Sequence, residues 1–120
     1  MKLIISGSRS ITDYNRVFEL IDNFVAVNGR PTTVICGGSY GVDTYGEWWA
    51  RNNRIKVRKM LPDWNEYGKS AGFRANKDMA QVADAALVIW DGISKGSGSM
   101  IDNMRKLSKP CRIIMYNELK

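Results

Sequence analysis

The sequence lacks histidine entirely and has only two cysteines among its 120 residues. Without histidine, the chain has no Ser-His catalytic triad, no imidazole general base and none of the commonest zinc ligand. Cys36 and Cys111 each lie in an apolar run of the kind that forms strands, and their spacing is not that of a metal site. We therefore expect both cysteines to be buried free thiols, and we expect no metal site.

Long hydrophobic runs are also missing. No apolar run approaches the roughly 18 residues that cross a membrane, and no secretory segment precedes the first predicted strand. We expect a cytoplasmic protein without a membrane partner. The length, with 44% hydrophobic and 25% charged residues, predicts one globular domain spanning residues 1–120.

Positive charge is what the chain has in excess. Lysine and arginine total 18 against 12 acidic residues, giving a net charge of +6, which suits an anionic partner such as a nucleic acid or a phosphorylated metabolite. The densest basic run, from Arg51 to Lys59, contains five cations and no acid. Two interpretations stay open for this run: a solvated helix end followed by a lysine-protected edge strand, or a nucleic-acid-binding stripe.

Apolar runs and amphipathic segments alternate along the whole chain. This alternation predicts an α/β fold: a single Rossmann-like, doubly wound domain with about five mostly parallel strands flanked by helices. The segment 62–72 is predicted to be the longest loop, followed by a helix from Phe73, and the last helix is predicted to begin at Ser99. The predicted strands are Lys2–Ser6, Thr33–Cys36, Ile55–Leu61, Ala85–Trp90 and Cys111–Tyr116.

Three turns rich in glycine and serine follow the first, second and fourth strands. The carboxyl ends of parallel strands meet at one edge of a sheet, where ligands bind. Glycines allow backbone amides to approach a ligand, and a helix N-terminus favours an anion, so the turns predict a phosphate pocket; the simpler interpretation is tight strand-to-helix turns. The candidate ligand-binding residues in these turns are Gly7, Ser8, Arg9, Gly37, Gly38, Ser39, Gly41, Asp43, Ser97, Gly98 and Ser99.

Single side chains add to this prediction. Arg9 and Arg74 could each pair with a phosphate, or each could be a surface cation. Asp43 could accept from ribose hydroxyls or cap a helix, and Asn76 could contact a base edge or buttress the long loop. Asp43 and Asp102 could also share a cation with a bound phosphate. Neither a G-x-G-x-x-G fingerprint nor a P-loop lysine motif is present, which disfavours classical NAD enzymes and P-loop NTPases.

The order of the motifs resembles that of a known superfamily. Gly7-Ser8-Arg9, the segment 37–43, Arg74-Ala75-Asn76-Lys77 and Ser97-Gly98-Ser99 together resemble the SLOG superfamily, and within it the small YspA-like branch. This superfamily groups the DNA-processing protein DprA with the LOG phosphoribohydrolases. The resemblance implies a Rossmann-like domain that forms a homodimer, needs no additional cofactor and binds a nucleotide or nucleotide-derived ligand, of the phosphoribosyl or ADP-ribose kind.

The resemblance also implies catalytic candidates. LOG enzymes cleave the N-glycosidic bond of nucleoside monophosphates and carry P-G-G-x-G-T-x-x-E, with an arginine on the preceding helix. In this sequence Ser99 stands at the threonine position, Asp102 at the glutamate position, and Arg74 near the arginine position. Asp102 and Arg74 are therefore the candidate catalytic residues, although aspartate is one methylene shorter than glutamate. Whether the ligand is hydrolysed or only sensed or sequestered stays open.

Other features of the sequence suggest nucleic-acid binding as an alternative to nucleotide binding. The net charge, the Arg51–Lys59 run and the aromatic residues Trp64 and Tyr67 are typical of single-stranded DNA grooves, in which cations alternate with stacking rings. The alternative hypothesis is thus a DprA-like protein that binds single-stranded DNA.

Overall fold

A computed structural model describes residues 1–116 of the chain as a five-stranded, wholly parallel sheet flanked by helices. The strand order is β3-β2-β1-β4-β5, so the predicted doubly wound Rossmann-like architecture is confirmed. The strands are β1 (Lys2–Gly7), β2 (Thr33–Cys36), β3 (Lys56–Lys59), β4 (Ala85–Trp90) and β5 (Cys111–Met115). The helices are α1 (Tyr14–Asn28), α2 (Val42–Asn52), α3 (Trp64–Tyr67), α4 (Ala71–Val82) and α5 (Lys95–Lys106).

The sheet buries apolar side chains on both faces, as expected for parallel strands with helices on either side. On one face, α1 and α2 pack over a cluster that includes Leu3, Val17 and Trp49. On the other face, α4 and α5 pack over a cluster that includes Ile35, Met79 and Met100. β1 pairs with β2 on one side and β4 on the other, so it lies at the point where the chain reverses its direction of winding.

Polar residues set the helix boundaries. Asp13 caps α1 by accepting a hydrogen bond from the backbone N–H of Arg16, and Gly29 ends that helix with a positive φ. Asp63 caps α3 in the same way by accepting from the N–H of Glu66. The cap at Asp63 produces a helix that the sequence pattern did not predict.

Several predicted boundaries are wrong, those of β1 and β5 by one residue each. The segment predicted as a long loop contains α3 and a 3-10 turn (Gly68–Ser70), and α4 begins at Ala71 rather than Phe73. β3 is shorter than predicted because it pairs only with the four residues of β2. α5 begins at Lys95, four residues before the predicted start at Ser99.

The two cysteines are free thiols. Cys36 is fully buried, and burial raises the pKa of its thiol to about 12. Cys111, at the start of the edge strand β5, is only partly buried, so the prediction of a buried thiol holds for Cys36 alone. Along the described residues, no helix is both long and apolar enough to cross a membrane.

Candidate functional site

A cavity of about 460 Å³ lies at the carboxyl edge of the sheet, beside the reversal point between β1 and β4. The ends of β1 and β2, the first turns of α2 and α5, and the segment from Pro62 through α4 form its walls. Its size falls within the range of small-molecule sites. Seven of the predicted site residues line it: Gly7, Arg9, Gly37, Ser39, Asp43, Asn76 and Ser97.

Gly7 brings three elements together at the floor of the cavity. A Cβ atom at this position would lie 2.2 Å from the carbonyl oxygen of Ile89 in β4 and 2.7 Å from the side chain of Val42 in α2. Only a residue without a side chain allows β1, β4 and the start of α2 to approach this closely. Gly7 therefore shapes the cavity through packing.

Asp43 is a buried carboxylate in the first turn of α2, with only 6% of its surface exposed. Its Oδ1 accepts a hydrogen bond from the N–H of Gly7 at 3.3 Å, and its Oδ2 accepts from the N–H of Ser39 at 3.4 Å. Burial raises its pKa to about 6, an effect that the hydrogen bonds from Ser39, Gly7, Gly37 and Ser6 partly offset. Asp43 thus ties the ends of β1 and β2 together and changes protonation close to neutral pH.

The start of α5 forms another wall of the cavity. The first intrahelical hydrogen bond runs from the N–H of Gly98 to the carbonyl oxygen of Ser94, so the N–H groups of Lys95, Gly96 and Ser97 precede the helical ladder. Ser94 does not cap these amides, because its hydroxyl donates to Asp91 instead. Unpaired amides at a helix N-terminus attract anions.

Ser97 lies in this first turn and is 3% exposed. Within residues 1–116, its hydroxyl is the buried side-chain polar group that has no hydrogen-bond partner. A buried hydroxyl without a partner costs about 1–3 kcal/mol, so native proteins rarely keep one without a reason. Ser97 as a residue lines the cavity, and its buried hydroxyl lies in the same first helical turn as the unpaired amides.

Asp91 explains why α5 begins earlier than predicted. Its Oδ1 accepts from the N–H groups of Ile93 and Ser94, and its Oδ2 accepts from the hydroxyls of Ser10 and Ser94. Partial burial opposes ionisation, but these four hydrogen bonds prevail and lower the pKa of Asp91 well below its usual range. The carboxylate therefore folds the turn after β4 tightly and starts the helix at Lys95.

The cavity wall carries more positive than negative charge. Arg9, Lys69 and Lys95 lie on three different elements that surround the cavity, and Asp43 is the carboxylate among the lining residues. With Asp43 ionised, these four groups sum to a charge of +2. This arrangement favours an anionic ligand.

Two aromatic side chains contributed by α3 and α4 also line the cavity. Trp64 of α3 and Phe73 of α4 line the cavity while remaining 59% and 48% exposed. The ring of Trp64 lies over Gly72, where a Cβ would be 3.5 Å from its Cη2 atom. Large, partly exposed rings beside cationic groups are suited to stacking on a planar base.

Asn76 holds α4 against α5. Its side-chain amide donates a 3.0 Å hydrogen bond to the carbonyl oxygen of Gly96 in the first turn of α5. Of the two roles predicted for Asn76, the structure gives it a buttressing one, but the element that it supports is α5 and not the segment 62–72.

The other seven predicted site residues do not line the cavity. Ser8 is buried, and its hydroxyl accepts from the N–H of Asp91, so it joins the turns after β1 and β4. Gly38 and Gly41 have positive φ angles and pack against Leu61 and the carbonyl oxygen of Ser8, respectively. The remaining four are Gly98, Ser99, Arg74 and Asp102.

The two candidate catalytic residues are thus placed away from the cavity wall. Asp102 is exposed in the second turn of α5. The guanidinium of Arg74 lies 4.3 Å from the ring centre of Tyr67 and donates a hydrogen bond to the hydroxyl of Ser70. Gly98 and Ser99 belong to the helical part of α5 because the helix begins earlier than predicted.

Sequence reasoning missed several lining residues, among them Lys69, Phe73, Lys95 and Gly96. Ser94 followed by a lysine and a glycine could have indicated the start of α5, but the pattern Ser97-Gly98-Ser99 resembled a turn more strongly. Lys69 lies in the segment predicted to be a loop, and Phe73 lies at the predicted start of the next helix. The sequence did not predict that either side chain would face the cavity.

Ion pairing divides the basic run from Arg51 to Lys59. Arg51 and Lys59 form ion pairs with Glu47 at 3.0 and 3.4 Å. Although desolvation opposes ionisation, these two cations lower the pKa of Glu47. Lys56 and Arg58 lie on the edge strand β3 with exposed side chains. The run is therefore divided between two cations that pair with Glu47 and three exposed cations, the third being Arg54, for which residues 1–116 show no ion pair.

The strand order and the cavity at the carboxyl edge of the sheet are those of a Rossmann-like domain. The sequence profile of the YspA, cpYpsA-related SLOG family matches residues 1–67, which is more than half of the chain, so the chain belongs to that family. The resemblance predicted from the motifs is thereby confirmed.

Two known proteins are similar to this chain. Gene 61 protein of Mycobacterium phage D29 is 27% identical over 115 residues, which cover 91% of this chain and 92% of that protein. The solved structure of DNA processing protein A (DprA) from Streptococcus pneumoniae superposes with a TM-score of 0.75 at 16% identity. That match covers all of this chain and 52% of the DprA chain, so this chain spans about half the length of DprA.

Proposed function

We propose that the cavity at the carboxyl edge of the sheet binds a nucleotide or a nucleotide-derived ligand, of the phosphoribosyl or ADP-ribose kind. The observation that carries this proposal is the buried hydroxyl of Ser97, which has no partner among the described residues and lies beside the first-turn amides of α5. A phosphate at this position would accept hydrogen bonds from the hydroxyl and the amides together.

The rest of the cavity suits the other parts of such a ligand. Arg9, Lys69 and Lys95 supply charge that attracts phosphate, and the rings of Trp64 and Phe73 offer surfaces on which a base can stack. We propose that Asp43, which lines the same cavity, contacts a sugar hydroxyl of the ligand. Each part of a nucleotide therefore has a chemically matching group on the cavity wall.

We propose that the cavity binds the ligand, and the experiment below also measures whether the protein hydrolyses it. Asp102 and Arg74, which the resemblance implied as catalytic residues, lie outside the cavity lining, so they would need to act from elsewhere. Among the residues that line the cavity, the carboxylate is Asp43. Release of free base by the protein would establish a phosphoribohydrolase-like activity; an intact bound ligand would indicate a sensor or sequestering protein.

The experiment is thermal unfolding of the purified chain against nucleoside monophosphates, NAD, ADP-ribose and cyclic nucleotides, with the products identified by mass spectrometry. A ligand at about 100 times its Kd stabilises a protein by about 2.7 kcal/mol, which is easily measured for a domain of this size. We expect at least one phosphate-bearing ligand to raise the Tm, and the corresponding nucleoside without phosphate to have little effect. The absence of any shift across the panel would contradict the proposal.

A second candidate function, single-stranded DNA binding, has its own observation. Lys56 and Arg58 are exposed on β3, and within residues 1–116 no ion pair involves either; Trp64 and Tyr67 are large exposed rings. The structural neighbour is described as a DNA processing protein, which supports this alternative. Binding of a labelled oligonucleotide that weakens steeply with salt and with Lys56→Ala/Arg58→Ala would favour this function.

Two expectations from the sequence stay predictions. Analytical ultracentrifugation at two concentrations tests the homodimer, and the cellular distribution of the tagged protein tests the cytoplasmic location.

A further inference from the structure

Asp43 is a buried carboxylate with a fixed orientation, and the proposed phosphate contact does not involve it. It is a carboxylate with 6% exposure on the wall of a cavity whose other charged lining groups are Arg9, Lys69 and Lys95. The N–H groups of Gly7 and Ser39 fix its two oxygens, so it cannot rotate away from an incoming ligand without breaking those bonds. An anion bound in this cavity therefore shares it with the fixed negative charge of Asp43.

We infer that the anionic ligand of this cavity binds together with a proton, which Asp43 takes up. The inference rests on the proposed function, since it requires a phosphate-bearing ligand in the same cavity. Protonation of Asp43 would couple ligand binding to pH. The neutral carboxyl group could also donate a hydrogen bond to the ligand, which the carboxylate cannot.

Electrostatic repulsion couples the ligand to the proton. Two negative charges that share one cavity repel each other, and the repulsion is removed when one of them is protonated. The pKa of Asp43 in the unliganded chain is about 6, so the group is mostly ionised at pH 7 and needs little further change to become protonated. Because a nearby anion raises that pKa, the complex holds more protons than the free protein at neutral pH.

The other ionisable groups around Asp43 do not provide this coupling. Cys36, at the end of β2, has a pKa raised to about 12 by burial and stays neutral. Glu47, one turn further along α2, is held ionised by Arg51 and Lys59 and does not line the cavity. The cations Arg9, Lys69 and Lys95 come from the β1–α1 turn, the 3-10 turn and α5, and they attract the anion.

The affinity for an anionic ligand should depend on pH with a definite sign. Above about pH 6 the free protein must gain a proton on binding, so affinity falls as pH rises, by up to about tenfold per pH unit for one proton. Below about pH 6 Asp43 is already protonated in the free protein, and affinity becomes independent of pH. Neutral nucleosides do not show this dependence.

Isothermal titration calorimetry of the full chain at pH 7, in buffers of different ionisation enthalpy, measures the protons taken up per ligand. The probes are ADP-ribose and 3′,5′-cyclic AMP, whose phosphates keep a fixed charge between about pH 5 and 9 and so contribute no protons of their own. We expect an uptake of about half a proton to one proton per bound ligand.

Asp43→Asn and Glu47→Gln identify the group responsible. Asp43→Asn resembles the protonated carboxyl group, so we expect no proton uptake and affinity at pH 8 at least equal to that of the wild type. Glu47→Gln removes the same charge one turn away, outside the cavity lining, and should leave the uptake unchanged. If Asp43→Asn fails to fold, because its amide nitrogen faces an N–H donor, the absence of proton uptake by the wild type would still overturn the inference.

The outcomes separate the two proposals. If none of the phosphate-bearing ligands binds, the proposed function fails and this inference fails with it. If ADP-ribose or cyclic AMP binds without proton uptake, the proposed function stands and the inference is wrong. An uptake that persists unchanged in Asp43→Asn also overturns it, because another group must then be the acceptor.

Discussion

The side-chain amide of Asn76 donates a 3.0 Å hydrogen bond to the carbonyl oxygen of Gly96, which joins α4 to the first turn of α5. The bond fixes the N-terminus of α5 relative to the helix that carries Phe73 and Met79 into the cavity wall. The proposed phosphate contact depends on where that first turn lies, so this bond is a positioning contact for the site.

Asn76→Ala should therefore weaken the binding of a phosphate-bearing ligand by several-fold, while changing the free energy of unfolding by about 1 kcal/mol or less, because the bond is exposed. Calorimetry and denaturant titration measure the two effects. Asn103→Ala is the matched control, because Asn103 makes its hydrogen bonds within α5, to Ser99. Equal losses of affinity in the two variants would contradict the assigned role.

Gly7→Ala should destabilise the fold through overpacking. The added methyl group would lie 2.2 Å from the carbonyl oxygen of Ile89, and a backbone atom in a central strand cannot move away easily. We expect a loss of about 2 to 4 kcal/mol in the free energy of unfolding, measured by denaturant titration. Gly96→Ala is the control: its added methyl group would enter open space, and alanine stabilises a helix by up to about 1 kcal/mol over glycine. Similar destabilisation in both variants would count against the packing role of Gly7.

Stability should fall as the pH rises from about 4 to about 6. Burial raises the pKa of Asp43 from 3.8 to about 6 in the folded chain, so the folded state binds more protons than the unfolded state within this window. The free energy of unfolding should then decrease by roughly 3 kcal/mol across it. Denaturant titrations at a series of pH values measure the decrease, and Asp43→Asn should remove it.

Asp91 provides the opposite control for this prediction. Its pKa is lowered in the folded chain, so its stabilising contribution is present above its ordinary pKa and is lost on acidification below that value. Asp91→Asn should leave the decrease between pH 4 and 6 in place. If the free energy of unfolding of the wild type is constant or increases between pH 4 and 6, burial does not raise the pKa of Asp43 as described.

Trp64→Ala should weaken nucleotide binding by roughly 10- to 100-fold, because base stacking on an aromatic ring contributes about 1–3 kcal/mol. Fluorescence anisotropy or calorimetry measures the loss. Trp48→Ala is the matched control: Trp48 is similarly exposed, but its ring packs against Tyr14 and Tyr45 on the outer surface of α1 and α2. If Trp64→Ala binds the ligand as the wild type does, the base is not stacked on Trp64.

The sequence alone predicted most of the fold, because hydrophobic runs such as Thr33–Cys36 and Ala85–Trp90 mark the buried strands of a parallel sheet directly. It also predicted that the turns after β1 and β2 approach one another. It did not predict where α5 begins, because that depends on four hydrogen bonds converging on Asp91, one of them from the distant Ser10. Such a network is a property of tertiary structure and leaves no periodic pattern.

The candidate site was harder to predict than the fold for a related reason. Gly41 and Ser97 look alike as members of glycine- and serine-rich turns, yet Gly41 packs against the backbone of the β1–α1 turn, whereas Ser97 lines the cavity. Only three-dimensional packing distinguishes a glycine that allows close approach from a serine with an unused hydroxyl.

A phosphate site at the start of α5 requires Ser97 and not Ser99, so calorimetric titrations with a phosphate-bearing ligand that raises the Tm should compare Ser97→Ala with Ser99→Ala. Ser97→Ala removes a buried hydroxyl that has no partner within residues 1–116, so its stability should equal or exceed that of the wild type, while its affinity should fall about tenfold or more. Ser99→Ala, two residues further along α5 and outside the cavity lining, should bind as the wild type does. Unchanged affinity in Ser97→Ala would contradict a phosphate site at the start of α5.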